Sequence, residues 1–350
     1  MTAMQRDRSF MRAVFGGDIA EEQLFPYPEV PGPERSRLGA LLPEVRSWLA
    51  KEVDAQLIDR HGDIEPRIFD GLRELGLFGI TTSQGYGGLG FSAMGHSRIM
   101  QEVAAVDSSV ALTLLVHEVI GTRAIARFGT EQQKQRYLRR LASGRSIAAF
   151  GFTEQPAGSD AASIRCHAAF DEATQSYRIN GEKSWVCNAE LADVFVVFAR
   201  TRPADEGKKP ALTAFILEAG PGVTVGQRLC TSGVRGAHVH PILLKDAIAT
   251  ADQVLDEPGK GMKIAASVLS EARIVLAAAM LGQCRAVIDA STKRLRVRRS
   301  SGRTIGEFAM MKDGAARMLA ETYAAESMTF LTAGFSDRGQ DVSLESAIAR

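Results

Sequence analysis

The sequence predicts an α+β protein built from a helical N-terminal domain (1–145), a middle antiparallel β domain (146–257) and a C-terminal helical bundle (258–350). Three observations predict it. Apolar residues recur every three to four positions up to Gly144. The period falls to two from about Ser146, and long helical repeats return after Gly259. The first and last stretches are therefore read as amphipathic helices, and the middle as strands with alternating faces.

In the first domain, Leu38, Leu41, Leu42, Val45, Trp48 and Leu49 form one apolar stripe, with Pro43 inside it predicting a kink or a late helix start. Further helices are expected at 66–76, 96–107, 109–127 and 130–142, the last capped by Thr130 and closed by Gly144. In the middle domain, Ser146–Phe152, Tyr177–Asn180, Val194–Ala199, Leu212–Leu217 and Val223–Leu229 read as strands, and Asn180-Gly181 as a hairpin turn. Met262–Arg298 and Ile305–Phe335 read as two long helices of the bundle, with a third starting near Val342. So few helices leave an apolar face that further chain or a partner is expected to cover.

Composition excludes several classes. Apolar residues make up 45% and charged residues 24%, which rules out a disordered or fibrous chain. The net charge of +1 gives no overall attraction to nucleic acid. The one basic run, Lys293 to Arg303, reads as a solvated helix face. Cys166, Cys187, Cys230 and Cys284 are widely spaced and lack histidines at ligand spacing, so no disulfide framework and no metal site are expected, and a reducing, cytoplasmic setting fits. No apolar run reads as long enough to span a bilayer, and the basic start lacks the apolar core of a secretory signal.

Two segments carry chemistry. Phe150-Gly-Phe-Thr-Glu-Gln-Pro-Ala-Gly-Ser-Asp160 and Asn180-Gly-Glu-Lys-Ser-Trp-Val-Cys-Asn188 resemble, in order and spacing, the paired signatures of acyl-CoA dehydrogenases. Tyr86-Gly-Gly-Leu-Gly-Phe-Ser92 is similar to that family's glycine loop. Gly259-Lys-Gly-Met262, Glu326–Gly334, Ser9-Phe10 and Phe25-Pro-Tyr-Pro28 resemble its very-long-chain branch. The resemblance implies an FAD-dependent oxidoreductase that removes the α-proton of an acyl thioester and moves the β-hydrogen as hydride to flavin N5. The flavin supplies the redox step, and the protein orients it and excludes water. It implies that Phe150, Phe152, Thr153 and Ser159 line the flavin, that Trp185 packs on the ring and that Cys187 lies beside N5. Ser159, Ser270 and Arg273 would contact the acyl-CoA, and Arg298 would reach the flavin pyrophosphate across a dimer. The implied partners are an acyl-CoA or acyl-carrier-protein substrate, an electron-transfer flavoprotein or similar acceptor, and a second subunit in a homodimer or hetero-oligomer.

Four departures from the family pattern accompany the resemblance. The carboxylate that takes the α-proton in most members would lie beyond Arg350, and its alternative position is here Ala272. Glu271 beside it reads as a solvated helix residue, so no catalytic residue is assigned. Cys187 stands where the family has Thr or Ser, and a thiol donates more weakly than a hydroxyl. Ser301 and Lys312 replace an aromatic residue and an amide. Pro156 is displaced by one position within its signature. These departures leave a second reading open, a non-catalytic relative that binds an acyl thioester.

Overall fold

The computed structural model describes residues 9–201 and 211–349, with only the backbone of Ala162; the first eight residues, part of the basic start read above, lie outside that range. The main helices, in chain order, are α1 (Gly32–Glu52), α2 (Ala93–Val106), α3 (Ser108–Phe128), α4 (Glu131–Ala142), α5 (Gly261–Val297) and α6 (Ala309–Asp337). Between α4 and α5 lie strands β1 (Ala148–Gly151), β2 (His167–Asp171), β3 (Ser176–Cys187), β4 (Val194–Arg200), β5 (Leu212–Glu218), β6 (Val223–Val225), β7 (Val239–Thr250) and β8 (Val254–Leu255). The α+β reading holds. By its contacts the chain divides into two units, one of residues 1–55, 92–111 and 273–350, the other of residues 56–91 and 112–272.

The second unit holds the sheet, in the order β6-β7-β3-β2-β4-β5-β8, with β1 added in parallel alongside β4. Its core is continuous from Phe195, Val196, Val197 and Phe198 on β4 to Phe215 and Ile216 on β5, all with no more than 1% exposure. Those two strands are apolar at nearly every position because both faces are covered. Helix α4 opens on a capping box: Thr130 Oγ1 accepts from Gln133 N at 3.2 Å and Gln133 Oε1 from Thr130 N at 2.9 Å.

Three expectations change here. Asn180-Gly181 makes no hairpin, because β3 continues through it, with a shift of register against β7 between Ile179 and Gly181. Gly181 has φ +145°, and a Cβ there would stand 2.8 Å from Cys166 Cα, so the glycine serves close strand approach rather than a turn. The predicted strand Val223–Leu229 shortens to Val223–Val225, while β2, β7 and β8 had no sequence prediction. Pro43 lies inside α1, which begins at Gly32, so the proline does not delay the helix start.

In the first unit, Met94, Ile274, Leu281, Phe330 and Phe335 pack as a separate apolar cluster. Arg98 stacks its guanidinium 3.6 Å above the Phe330 ring and bonds Glu326 Oε1 at 2.8 Å. Asp337 accepts from Ala93 N and Met94 N at 2.7 and 3.1 Å, holding the start of α2. A Cβ on Gly282 would meet Gln101 O at 2.0 Å, so α5 and α2 approach backbone to backbone. The basic run ends α5 at Val297 and then forms a two-stranded hairpin. Ser301 and Gly302 have φ +50° and +78°, the pair of positive values that a tight primed turn requires. Leu319 and Tyr323, about one turn apart on α6, are 56% and 74% exposed.

Among the described residues two helices, α3 and α5, are long and apolar enough to cross a bilayer by length and composition, contrary to the sequence reading. The apolar part of α3 is 78% buried within the protein, where sheet and helices already cover it.

Candidate active site

The two signatures meet at the edge formed by β1, its following loop and β3. The tie between them is a buried ion pair that sequence reasoning missed. Lys183 Nζ, fully buried, bonds Glu154 Oε1 at 2.8 Å and Phe152 O at 3.1 Å. Glu154 also accepts from Arg165 N at 2.6 Å and Cys166 N at 2.9 Å. Burial pushes the Glu154 carboxyl upward, but Lys183 and the two amides outweigh it and hold the group below the ordinary carboxylate range. One lysine and one glutamate, each a fixed letter of its own signature, thus pin the two loops together. Nothing local in the sequence marked the pair, since Glu154 stands between Thr153 and Gln155 and Lys183 between Glu182 and Ser184.

Beyond Lys183 the pairing of β3 with β7 shifts register, between Lys183 and Val186. A regular strand would send Trp185 to the same buried face as Lys183. The bulge re-aims it: Lys183 and Val186 point inward, while Trp185 is 58% exposed with φ +58°. Ser184 N donates to Thr153 O at 2.9 Å, which fastens the bulge to the first signature. An indole held in a left-handed conformation and left largely bare is a costly arrangement for stability alone, and points to a surface shaped for a ligand.

The remaining sequence-predicted residues are placed as follows. Phe150 is buried and packs with Phe152 and Phe198 at ring distances of 6.1 and 4.9 Å, so its ring belongs to the core under the site. Phe152 and Thr153 are half-buried at the surface beside the bulge, and Ser159 is exposed on the outer loop. Displaced Pro156 is accommodated in a turn across which Glu154 and Ala157 exchange both backbone hydrogen bonds, so its missing N–H is not needed. Cys187 is half-buried, and burial pushes its thiol up to about 11, so it stays protonated at neutral pH. Asn188, with φ +64°, closes the segment by donating from Nδ2 to Thr113 O at 2.9 Å.

On α5, Ser270 donates to Ala266 O at 3.0 Å and Ala272 is buried. Glu271 is not solvated: its side chain is 15% exposed and paired with Arg123 at 2.8 Å and with Arg127. Arg273 and Arg298 belong to the first unit, the former half-buried and the latter exposed.

The segment Val116–Thr122 of α3 is a π-helix, a local widening that recurs at functional sites. His117 Nδ1 accepts from Ala148 N at 3.0 Å, so its Nε2 carries the proton and donates to Phe78 O and Leu141 O at 3.1 and 3.2 Å. Burial lowers this imidazole to about 4. Gly121 lets the same segment approach β1, since a Cβ there would lie 2.5 Å from that of Ala148. The π segment therefore sets the height of β1, and with it the first signature.

Comparison with known proteins agrees with this arrangement. Family models for the N-terminal, middle and C-terminal domains of acyl-CoA dehydrogenases match residues 38–145, 149–247 and 259–350. The chain is 36% identical to the mitochondrial very long-chain specific acyl-CoA dehydrogenase of Macaca fascicularis and 35% identical to that of Homo sapiens, each over 99% of this chain and 54% of the relative. It thus spans about half the length of the curated relatives it matches. The butyryl-CoA dehydrogenase structure from Megasphaera elsdenii superposes with a TM-score of 0.85 at 29% identity, covering 92% of this chain and 84% of that one. Two signatures joined by a buried ion pair, domains in matching order and these likenesses lead to one conclusion: the chain belongs to the acyl-CoA dehydrogenase family.

Proposed function

We propose that this chain binds FAD at the β1–β3 edge and carries out α,β-dehydrogenation of an acyl-CoA thioester, as the names of its relatives indicate for them. The observation that carries the proposal is the exposed Trp185, re-aimed by a bulge and locked to Thr153. The residues fit a flat tricyclic ring: an apolar ledge from Phe152 and Trp185, hydroxyls from Thr153 and Ser159, and a protonated thiol at Cys187. When bound, FAD supplies the redox chemistry, accepting hydride at N5.

The chain's own residues position and protect. Trp185 covers the ring and keeps water out, Cys187 offers a neutral S–H donor, and Arg298 serves the pyrophosphate through a partner subunit. Ser270 and Arg273 serve the acyl-CoA. Because Arg123 and Arg127 occupy the Glu271 carboxylate, we assign it a structural role. A homodimer, electron delivery to an electron-transfer flavoprotein and a cytoplasmic location complete the proposal; the four cysteines are unbonded, as a reducing setting allows.

The test is direct. The purified 350-residue chain loaded with FAD should be yellow; anaerobic bleaching by a long-chain acyl-CoA supports the dehydrogenation step and requires an α-proton acceptor beyond the residues assigned above. A yellow protein that no acyl thioester bleaches would reduce the reading to cofactor binding, and a chain that never retains FAD would remove it.

A further inference from the structure

On the same sheet, past the end of the second signature, three side chains converge on one point. Glu190 follows β3, while His238 and His240 flank Val239 at the start of β7. Glu190 Oε2 lies 2.8 Å from His238 Nδ1 and 3.3 Å from His240 Nε2, and the three potential ligand atoms all fall within 4.8 Å of one another. We propose that Glu190, His238 and His240 bind a single divalent transition-metal ion of the zinc class, with Asp63 orienting His238.

The tautomers carry the argument. His240 Nδ1 faces Gly226 O at 2.9 Å, and a carbonyl only accepts, so that nitrogen holds the ring proton. The Nε2 of His240 then presents a lone pair, and it is buried without a hydrogen-bond partner. His238 stands between two carboxylates, with Nε2 2.8 Å from Asp63 Oδ1 and Nδ1 2.8 Å from Glu190 Oε2; with the ring proton held on Nε2 by Asp63, Nδ1 would turn a lone pair toward the point shared with Glu190. In that state two nitrogen lone pairs and a carboxylate oxygen would face one another, and a divalent cation among them would satisfy all three, including the unpartnered His240 Nε2. Carboxylate, histidine, metal is the arrangement that fixes a ligating ring from its far side. Ile64 N, donating to Asp63 Oδ1 at 2.9 Å, fixes the carboxylate in turn.

Two imidazoles and one carboxylate suit zinc and its borderline neighbours rather than calcium or magnesium. The imidazole side chains are 10% and 6% exposed and Glu190 is 55% exposed, so the ion would be held from inside with one position open to solvent. The site is not the cofactor site but is tied to it. Val186 pairs with His240 and Cys187 with Val239 across the strands, so the ion would brace the end of β3 directly after Trp185.

The experiment uses the full chain with its thiols alkylated, because Cys230 and Cys284 are exposed and would take up zinc on their own. Titration with Co²⁺ should give one equivalent with visible absorption of low-coordinate nitrogen and oxygen ligation, displaced by Zn²⁺. Zn²⁺ should also raise the melting temperature. Glu190→Gln, at an exposed position, should weaken Zn²⁺ at least tenfold, and Asp63→Asn about tenfold through loss of ring orientation. Absence of Co²⁺ uptake by the alkylated wild type overturns the proposal and leaves a network held by protons. Uptake that both variants preserve overturns it equally, by placing the ion elsewhere. FAD binding enters none of these readouts, so the two proposals stand or fall separately.

Discussion

At the scale of single residues, the site depends on two unusual side chains. Lys183 is a fully buried cation whose partner, Glu154, is also buried. Removing one member of such a pair strands the other charge, and about 3–5 kcal/mol is the usual cost. Lys183→Met should therefore lower stability by about that amount in urea unfolding and abolish FAD retention. The double change Lys183→Met, Glu154→Gln should recover a large part of the stability, since no lone charge remains. Trp185 gives a sharper test, because its φ of +58° suits glycine better than any L-residue. In FAD-free protein Trp185→Gly should be more stable than Trp185→Ala by about 1 kcal/mol, the reverse of the usual order in a strand. Both should weaken FAD about tenfold if ring stacking is what the indole provides. Equal stabilities for the two variants would show that the bulge relaxes once the indole is gone.

At the scale of elements, legibility followed how local each cause was. The long helices, the Thr130 cap and the β-rich middle were readable because periodicity and capping are set within a few residues. Strand β7 was not, although it lies between β6 and β3 in the sheet. Its Pro241 reads as a strand breaker, yet it sits at the register shift where β3 requires no N–H from it. Asn180-Gly181 misled for the converse reason, since only the position of Cys166 across the sheet shows why glycine is there. The site divides in the same way. The signatures named Trp185 and Thr153, but the bulge that exposes the indole and the Lys183–Glu154 tie arise from pairing partners far away in sequence. The Glu190–His238–His240 cluster was invisible for the same reason, its members being brought together only by the sheet. Gly181→Ala tests the close-approach argument. Its Cβ would stand 2.8 Å from a backbone atom of Cys166 at a φ of +145°, so a loss of about 2–4 kcal/mol is expected by thermal or urea unfolding.

At the scale of the whole molecule, two neighbours in the π segment add opposing pH dependences to stability. Burial raises Glu118 from 4.5 to about 7, against the hydrogen bonds from Thr81 N and Oγ1, and burial lowers His117 from 6.5 to about 4. For Glu118 the folded state holds the proton more tightly than the unfolded one. Its contribution is thus fully present below pH 4.5 and is lost as pH rises through 7. For His117 the unfolded state binds the proton more tightly, so its contribution is present above pH 6.5 and is lost as pH falls toward 4. At about 1.4 kcal/mol per unit, each shift corresponds to about 3 kcal/mol over nearly the same window, and in the intact protein the two slopes largely cancel. Glu118→Gln removes one of them while keeping an acceptor for Thr81. The variant should match the wild type near pH 4 and exceed it by about 2–3 kcal/mol at pH 8, with a steeper loss on acidification because the His117 slope is no longer masked. Urea unfolding at four or five pH values between 4 and 8 measures this difference. A constant offset across that range would mean that Glu118 is ionised in the folded protein throughout, and that the π segment holds β1 with a charge rather than a neutral acid.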